Sequence, residues 1–397
     1  MRVTYNSPNR SHHYRYAAAL ARARALESFV CGFSRFSSRA ALPEAKGRLV
    51  RADHVQNVYL AALRLHLPAS LTDELAYRSK LWIDRQSERP ARASDLFLFY
   101  SGAGLSTVRR LRQSRTVCVV EAVNCHVRLQ ERIMREEYGR LGLPFAGFHA
   151  REMARRVEEY ALADAVLCPS HFVRDSFLQE GWDADRVHVV PYGIPMSDGR
   201  NTTRLPDDGI FRVLYVGQLS PRKGLRYLME AFDLLRHPHK ELVIVGPRSE
   251  PSGLEGVAIP AGVRFTGVLK GEELAAAYRS AHVFVLPTVE EGLALVLGEA
   301  LGHGTPVIAT VNSGGSDLFE DGREGFLVPI RDPAALADRM QCLADDPALR
   351  ARMSEAAVAR SQVIGGWERT DRLLLAALEK MVQTGRKQPG NFTAVTT

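Results

Sequence analysis

Residues Val283–Thr310 read VFVLPTVEEGLALVLGEALGHGTPVIAT. The run Val283–Leu286 is short, continuous and apolar, as expected of a central strand buried on both faces of a parallel sheet, and Pro287 ends it because proline cannot donate to a ladder. An apolar helix starts close to Ala294, and a second apolar run, Pro306–Ala309, follows it. Strand, turn, helix and strand in this order make one unit of a parallel α/β sheet, and such sheets bind ligands in the crevice beyond the carboxyl ends of their strands. Glu291 falls in that crevice just outside the helix, and Glu299 follows within it. Two carboxylates beside a helix N-terminus can hold hydroxyl pairs while free N–H groups of the first turn hold phosphate, so the pattern suggests a sugar nucleotide. Spacing alone also fits a helix cap at Glu291 and a solvated Glu299. The surrounding sequence has to decide between these readings.

Both halves of the chain alternate strands with helices, which predicts parallel sheets covered on both faces. The expected strands are Arg2–Asn6, Asp95–Tyr100, Thr116–Val120, Ala165–Cys168 and Val187–Val190 in the first half. In the second they are Phe211–Val216, Glu241–Val245, Val263–Phe265, His282–Leu286, Pro306–Ala309 and Gly325–Val328. The region Ser34–Arg92 is the least legible, with helices around His54–Leu67 and Leu71–Glu88. The expected organisation is an N-terminal α/β domain over 1–190, a Pro-, Gly- and Asp-rich linker over 191–209, and a C-terminal α/β domain over 210–365. A helix over 366–385 would pack back on the N-terminal domain, and residues 386–397 form a polar tail expected to be disordered.

With 397 residues, 46% hydrophobic and 24% charged, the chain is long enough for two globular domains. Its five scattered cysteines form no CxxC pair and suggest neither a disulfide framework nor a zinc site, so a reducing cytoplasmic compartment fits. No apolar run is long enough to span a membrane, and a signal-peptide core is absent from the N-terminus. The net charge of +7 belongs to the first half. Its basic character suits contact with an anionic acceptor or with the anionic inner face of a membrane. The charge is diffuse and lacks interleaved aromatic residues, which argues against nucleic acid.

From about Glu159 onward an ordered series of blocks resembles the retaining glycosyltransferases of family four. The blocks are YALADAVLCPSHFVRDSF, VHVVPYGI, VLYVGQLSPRKGLRYLMEAF, LVIVG, VRFTGVLKGEEL, the quoted stretch, and SGGSDLFEDGREGFLVP. The resemblance implies the GT-B architecture, two Rossmann-like domains with parallel sheets facing a cleft, the N-terminal one binding the acceptor and the C-terminal one the nucleotide sugar. It also implies transfer of a sugar from a UDP-, GDP- or ADP-sugar to a sugar, a lipid-linked sugar or another hydroxyl acceptor, with retention at the anomeric carbon. Polysaccharide, glycolipid or cell-envelope glycan synthesis would be the setting. No metal or other cofactor is implied, because the one DxD, Asp183 and Asp185, lies in a helix-to-strand connection.

Residue by residue, the family's paired glutamates match Glu291, implied to meet the donor sugar hydroxyls, and Glu299, implied to hold the ribose. Arg222 and Lys223 in GQLSPRKG would meet the diphosphate, where a cation stabilises the leaving group's charge. Gln218 stands where many members carry arginine. The backbone N–H groups of Leu293, Ala294 and Leu295 would also contact the donor, and Val268 falls where the family's base pocket lies. In the first half, NSPNRSHHYRY replaces a glycine-rich loop and offers Arg10, His12 and His13. His126, in the loop after Thr116–Val120, resembles the histidine placed near the donor sugar, and Glu121 is the second candidate there. The resemblance implies a front-face route in which the leaving phosphate helps deprotonate the acceptor. Two alternatives stand beside this reading: a non-catalytic nucleotide-sugar-binding or scaffold subunit, and a GT-B synthase acting on a sugar phosphate.

Overall fold

A computed structural model describes residues 1–194, 205–206 and 208–385. The expected linker over 191–209 lies largely outside the described residues, and the expected tail over 386–397 lies wholly outside them.

The first half runs β1 (Val3–Ser7), α1 (His13–Arg22), β2 (Leu26–Cys31), β3 (Leu49–Arg51), α2 (His54–Arg64), α3 (Ala69–Arg92), β4 (Leu96–Tyr100) and α4 (Leu105–Leu111). It continues through β5 (Val117–Glu121), α5 (Val127–Arg140), α6 (Ala150–Leu162), β6 (Ala165–Cys168), α7 (His171–Gln179) and β7 (Val187–Val189). Its seven strands form one parallel sheet in the order β3-β2-β1-β4-β5-β6-β7. The second half runs β8 (Phe211–Val216), α8 (Leu225–Leu234), β9 (Lys240–Val245), β10 (Val263–Gly267), α9 (Gly271–Arg279), β11 (Val283–Leu286) and α10 (Leu295–Gly302). There follow β12 (Val307–Thr310), β13 (Gly325–Val328), α11 (Pro333–Asp345), α12 (Pro347–Ile364) and α13 (Trp367–Thr384). Six strands make a second parallel sheet, β10-β9-β8-β11-β12-β13.

In both sheets the order reverses beside the first strand, between β1 and β4 and between β8 and β11. A crevice opens at each such switch point because the connections leave in opposite directions there. Central strands such as Val283–Leu286 and Val307–Thr310 are buried throughout. Their apolar, β-branched side chains pack against helices on both faces.

Two strands were not among the sequence expectations. β2, LESFVC, carries Glu27 and Ser28 at half-buried positions, which breaks its apolar run. β3 has three partly exposed residues on the sheet edge, too few for a period to register. In the illegible region, α3 passes Glu88 and includes Pro90 in its last turn, at the cost of the backbone bond that an N–H there would have given to the Gln86 carbonyl. Helix α13 lies against α1 and also holds the chain after β7, where Thr370 Oγ1 donates to Pro191 O at 3.0 Å and Tyr192 stacks on Trp367 with ring centroids 6.3 Å apart. All five cysteines are free thiols. Among the described residues, no helix is long and apolar enough to cross a membrane.

Candidate active site

The C-terminal wall of the cleft is built where β8 and β11 end. After β8 the chain makes a turn over Pro221–Lys223, and Gly224 follows at φ 66°. A Cβ on Gly224 would stand 2.0 Å from Pro287 O, so only glycine allows this turn to lie against the end of β11. The turn is then stitched in place. Val289 N and Thr288 Oγ1 both donate to Arg222 O, at 2.9 and 3.0 Å. Arg222 Nη1 in turn donates to Glu290 O at 2.9 Å and to Glu291 Oε2 at 2.8 Å, and Lys223 Nζ donates to the same Glu291 oxygen.

These charges set one another. Burial alone would raise the pKa of Glu291, but Lys223 and Arg222 reverse this and hold the carboxyl below its ordinary value. Burial works against the charge of Arg222, and the Glu291 and Glu290 carboxylates outweigh it, so the guanidinium pKa rises. For Lys223, burial prevails over Glu291 and its pKa falls.

Helix α10 opens beside this cluster with Ala294 as its N-cap. The amides of Leu293 and Leu295 have no acceptor among the described residues, as a donor-binding role requires. Ala294 departs from the expectation: its N–H donates to Ser313 O at 3.2 Å, because Gly314 turns the chain at φ 70° and brings that carbonyl over the helix start. Glu299 lies further along α10 and accepts from Tyr278 Oη at 2.9 Å, while burial raises its pKa. Val268 follows β10 and is exposed.

The opposite wall comes from β1, β4 and β5. Glu121 ends β5 and is buried. Its Oε1 lies 2.7 Å from His12 Nε2, and its Oε2 accepts from Tyr5 Oη at 2.8 Å and lies 3.2 Å from His13 Nδ1. Tyr5 Oη is also 2.5 Å from His13 Nδ1. Burial alone would raise the pKa of Glu121, yet His13 and His12 reverse the shift and hold it well below the carboxylate range. Burial, aided by His13, lowers His12 from 6.5 to about 4. At neutral pH the cluster therefore contains an ionised carboxylate and a neutral His12. His12, His13 and Glu121 each offer a donor atom within 4.8 Å of the others, a set that could also ligate a metal ion.

The two walls enclose a cavity of about 260 Å³ in which His12, His13 and Tyr100 face Lys223, Glu291 and the Leu293–Val296 helix start. A second cavity of about 410 Å³ lies where Gln130, His149, Glu152 and Arg156 of the N-terminal domain meet Arg222. Arg222 and Glu291 are bonded to one another, so this pair stands between the two spaces.

The halves are held together closely. Ser170 Oγ donates to Gly292 O, and a Cβ on Gly292 would stand 1.8 Å from Val123 O. Glu137 on α5 accepts from Tyr227 Oη at 3.0 Å and from Arg331 Nε at 2.7 Å.

Residues 210–346 match the family described as Glycosyl transferases group 1. This C-terminal segment belongs to that family. The D-inositol 3-phosphate glycosyltransferase of Streptomyces avermitilis is 35% identical over 234 residues, covering 52% of this chain and 50% of the relative. That of Thermomonospora curvata is 33% identical over 244 residues, covering 54% and 55%. The chain thus spans about half the length of the curated relatives it matches. Among solved structures, sucrose-phosphate synthase from Thermosynechococcus elongatus superposes with a TM-score of 0.68 at 19% identity, covering 97% of this chain and all of that one. Anabaena HepE in complex with UDP-glucose gives 0.66 at 15% identity, covering 96% and 100%. At these identities the likeness shows the fold, which is GT-B.

Within this GT-B architecture, the structure brings Arg222, Lys223, Glu291, Leu293 and Leu295 to one cleft. His126 has a different setting. It is the N-cap of α5, where Nδ1 accepts from Arg128 N at 3.4 Å. Its ring packs on Tyr160 and Phe177, with centroids 4.9 and 5.0 Å away. Burial, with a smaller effect of Arg128, lowers it from 6.5 to about 3. It is not among the residues lining the 260 Å³ cavity. The reason is geometric: the five residues between the end of β5 and α5 carry His126 under the helix, whereas Glu121 is still at the strand's mouth. The histidines that do reach the cleft are His12 and His13. The cue in the sequence was the loop after β1, where two histidines stand in place of glycine. Glu290 was also missed. It is fully buried and accepts from Cys125 N and from Gln130 Nε2 at 3.3 and 3.0 Å, joining the domains. Its only trace in the sequence is the doublet with Glu291.

Proposed function

We propose that the chain transfers a sugar from a nucleotide diphosphate sugar to an acceptor hydroxyl with retention of anomeric configuration. The observation that carries this reading is the joining of Arg222, Lys223 and Glu291 beside the unpaired amides of Leu293 and Leu295. Two cations and a helix start suit a diphosphate, and a carboxylate held ionised suits sugar hydroxyls. Neutralisation of the leaving diphosphate by Arg222 and Lys223 gives a reaction without a metal requirement, in which positioning and charge stabilisation lower the barrier. Glu299 would bind ribose by exchanging its bond to Tyr278 for bonds to the diol. The solved structure of HepE with UDP-glucose supports a uridine donor as the first to try.

The larger cavity faces the same Arg222 from the N-terminal domain and is the natural seat of the acceptor. Arg156 in that wall, together with the basic first half of the chain, favours an acceptor that is anionic or carried on an anionic membrane face. A phosphorylated acceptor is the second reading, supported by the names of the curated relatives. Action in the cytoplasm, free or at the inner membrane face, fits both.

A thermal-shift screen of UDP-, GDP- and ADP-sugars tests the donor, since a ligand that binds only the folded chain raises its melting temperature. NMR of the product then reads the anomeric configuration. A chain that none of these sugar nucleotides stabilises, and that neither transfers nor hydrolyses them, would sink the proposal. An inverted product would remove retention.

A further inference from the structure

Helices α2 and α3 pack along each other as a hairpin, and the face that α2 turns to solvent is apolar. Its exposed positions His54, Val58, Ala61 and Leu65 recur at helical spacing and so line one stripe, with Val58 55% and Leu65 70% exposed. A surface helix of a globular protein ordinarily carries charged residues there. The apolar surface continues around the hairpin tip, where LRLHLPASL, Leu63–Leu71, is a run of nine exposed residues that includes Leu63, Leu65, Leu67 and Leu71. No Asp or Glu occurs between His54 and Thr72, while Arg64 is exposed and forms no ion pair among the described residues. Of the two acids that follow, Glu74 accepts from Arg78 Nε at 2.7 Å and from Arg151 Nη2, which offset its charge, and Asp73 lines the cavity of about 410 Å³.

We propose that this tip docks the chain on an anionic lipid bilayer, with Leu63, Leu65, Leu67 and Leu71 entering the boundary between headgroups and acyl chains and Arg64 reaching lipid phosphate. The inference deepens one half of the reading above, an acceptor carried on an anionic membrane face, and rests on it for what the docking serves. Leucines at that boundary leave water, and the long stem of Arg64 lies along them while its guanidinium stays among the headgroups. Apolar burial holds the chain, and the negative surface of the bilayer attracts it. The net charge of +7, concentrated in the same half of the chain, adds to that attraction.

The tip also lies at the rim of the larger cavity. Asp73 and Ala76, near the start of α3, line that space together with Arg222, so its wall begins two residues beyond Leu71. A lipid-borne acceptor would therefore enter from the side on which the chain is docked. A second copy of the chain fits the tip less well. A stable interface takes about 20–30 residues from each partner, and the exposed run here is the convex end of a hairpin.

Flotation of the full chain with vesicles tests this without any substrate. Mixed phosphatidylglycerol and phosphatidylcholine vesicles are expected to carry the wild type, and phosphatidylcholine alone to bind it about tenfold or more weakly. Leu65→Ser combined with Leu67→Ser is expected to weaken binding to the mixed vesicles by about tenfold or more. The melting temperature should stay unchanged, because both side chains already face solvent. Arg64→Ala should weaken binding by about fivefold, the scale of one basic residue at an anionic surface. A wild-type chain that stays off the mixed vesicles, binds neutral vesicles equally well, or binds undiminished after the double substitution would overturn the inference. So would a dimer in sedimentation velocity that the double substitution abolishes, by giving the tip to a second copy. Flotation of a chain that transfers no sugar would uphold the docking surface and overturn the transfer reaction, which separates the two failures.

Discussion

Arg222 Nη1 donates to Glu291 Oε2 at 2.8 Å, on the same oxygen that Lys223 contacts. Three groups suited to one ligand thus satisfy one another. An arriving diphosphate would compete with Glu291 for both cations and release the carboxylate to accept from sugar hydroxyls, so the proposed nucleotide and sugar binding would be coupled through this cluster. Glu291→Gln keeps the shape and removes the charge. Transfer should fall by about 100-fold or more, the scale of losing a charge-stabilising group in a desolvated site. Circular dichroism should show the fold retained, and near wild-type rates in the variant would count against the role of Glu291.

Lys223→Ala should act on binding first. It removes one charge-assisted contact to the diphosphate, worth about 1.5–3 kcal/mol, or about ten- to a hundredfold in Kd. Calorimetric titration with the nucleoside diphosphate reads this directly. An unchanged Kd would place the diphosphate elsewhere.

Gly292→Ala tests the closeness of the domains. Its new Cβ would meet Val123 O at 1.8 Å, a backbone atom that cannot rotate away. The domains must part to admit it, so transfer should drop by about tenfold or more, the scale at which small misplacements of reacting groups are felt. Rates near wild type at an unchanged melting temperature would show that this approach is dispensable.

Arg331→Ala tests the second tie between the halves. Glu137 would remain buried with Tyr227 as its partner and without a countercharge. Breaking a buried pair in this way costs about 3–5 kcal/mol, and somewhat less where one partner is partly exposed. The urea midpoint should fall, and small-angle scattering should show a larger radius of gyration as the domains separate. A variant as stable and compact as the wild type would assign Arg331 to the surface.

His126 gives the chain a pH signature. Burial holds it neutral in the folded chain down to about 3, whereas the unfolded chain takes up the proton near 6.5. The folded state binds fewer protons between these values, so stability is lost as pH falls through that window. From pH 7 to pH 5 the loss from this residue is about 2 kcal/mol. Urea unfolding at the two pH values should show the wild type losing more stability than His126→Asn, whose side chain can still cap α5 but does not titrate. Equal losses would mean that His126 is already charged in the fold.

Much of the fold was legible because it rests on local pattern. Val283–Leu286 and Phe211–Val216 are uninterrupted apolar runs, and Pro287 and Gly224 mark where the chain must turn, so strands, turns and the mouths between them follow from periodicity and backbone chemistry. β2 and β3 were not legible, since one is interrupted by polar residues and the other is a three-residue edge.

The sequence by itself determined the parallel α/β architecture and the C-terminal wall of the cleft, because Arg222, Lys223, Glu291 and the α10 start all lie in the short connections that follow β8 and β11, which the pattern locates. Tertiary structure alone decided the other wall. Glu121 stands more than a hundred residues from Tyr5, His12 and His13, and the four meet only because β1, β4 and β5 lie side by side in the sheet. The same packing separated His126 from the cleft and left Ala294 without a free amide. Local sequence specifies where a chain turns; which buried polar groups face one another depends on strand order and domain closure, which join residues distant along the chain.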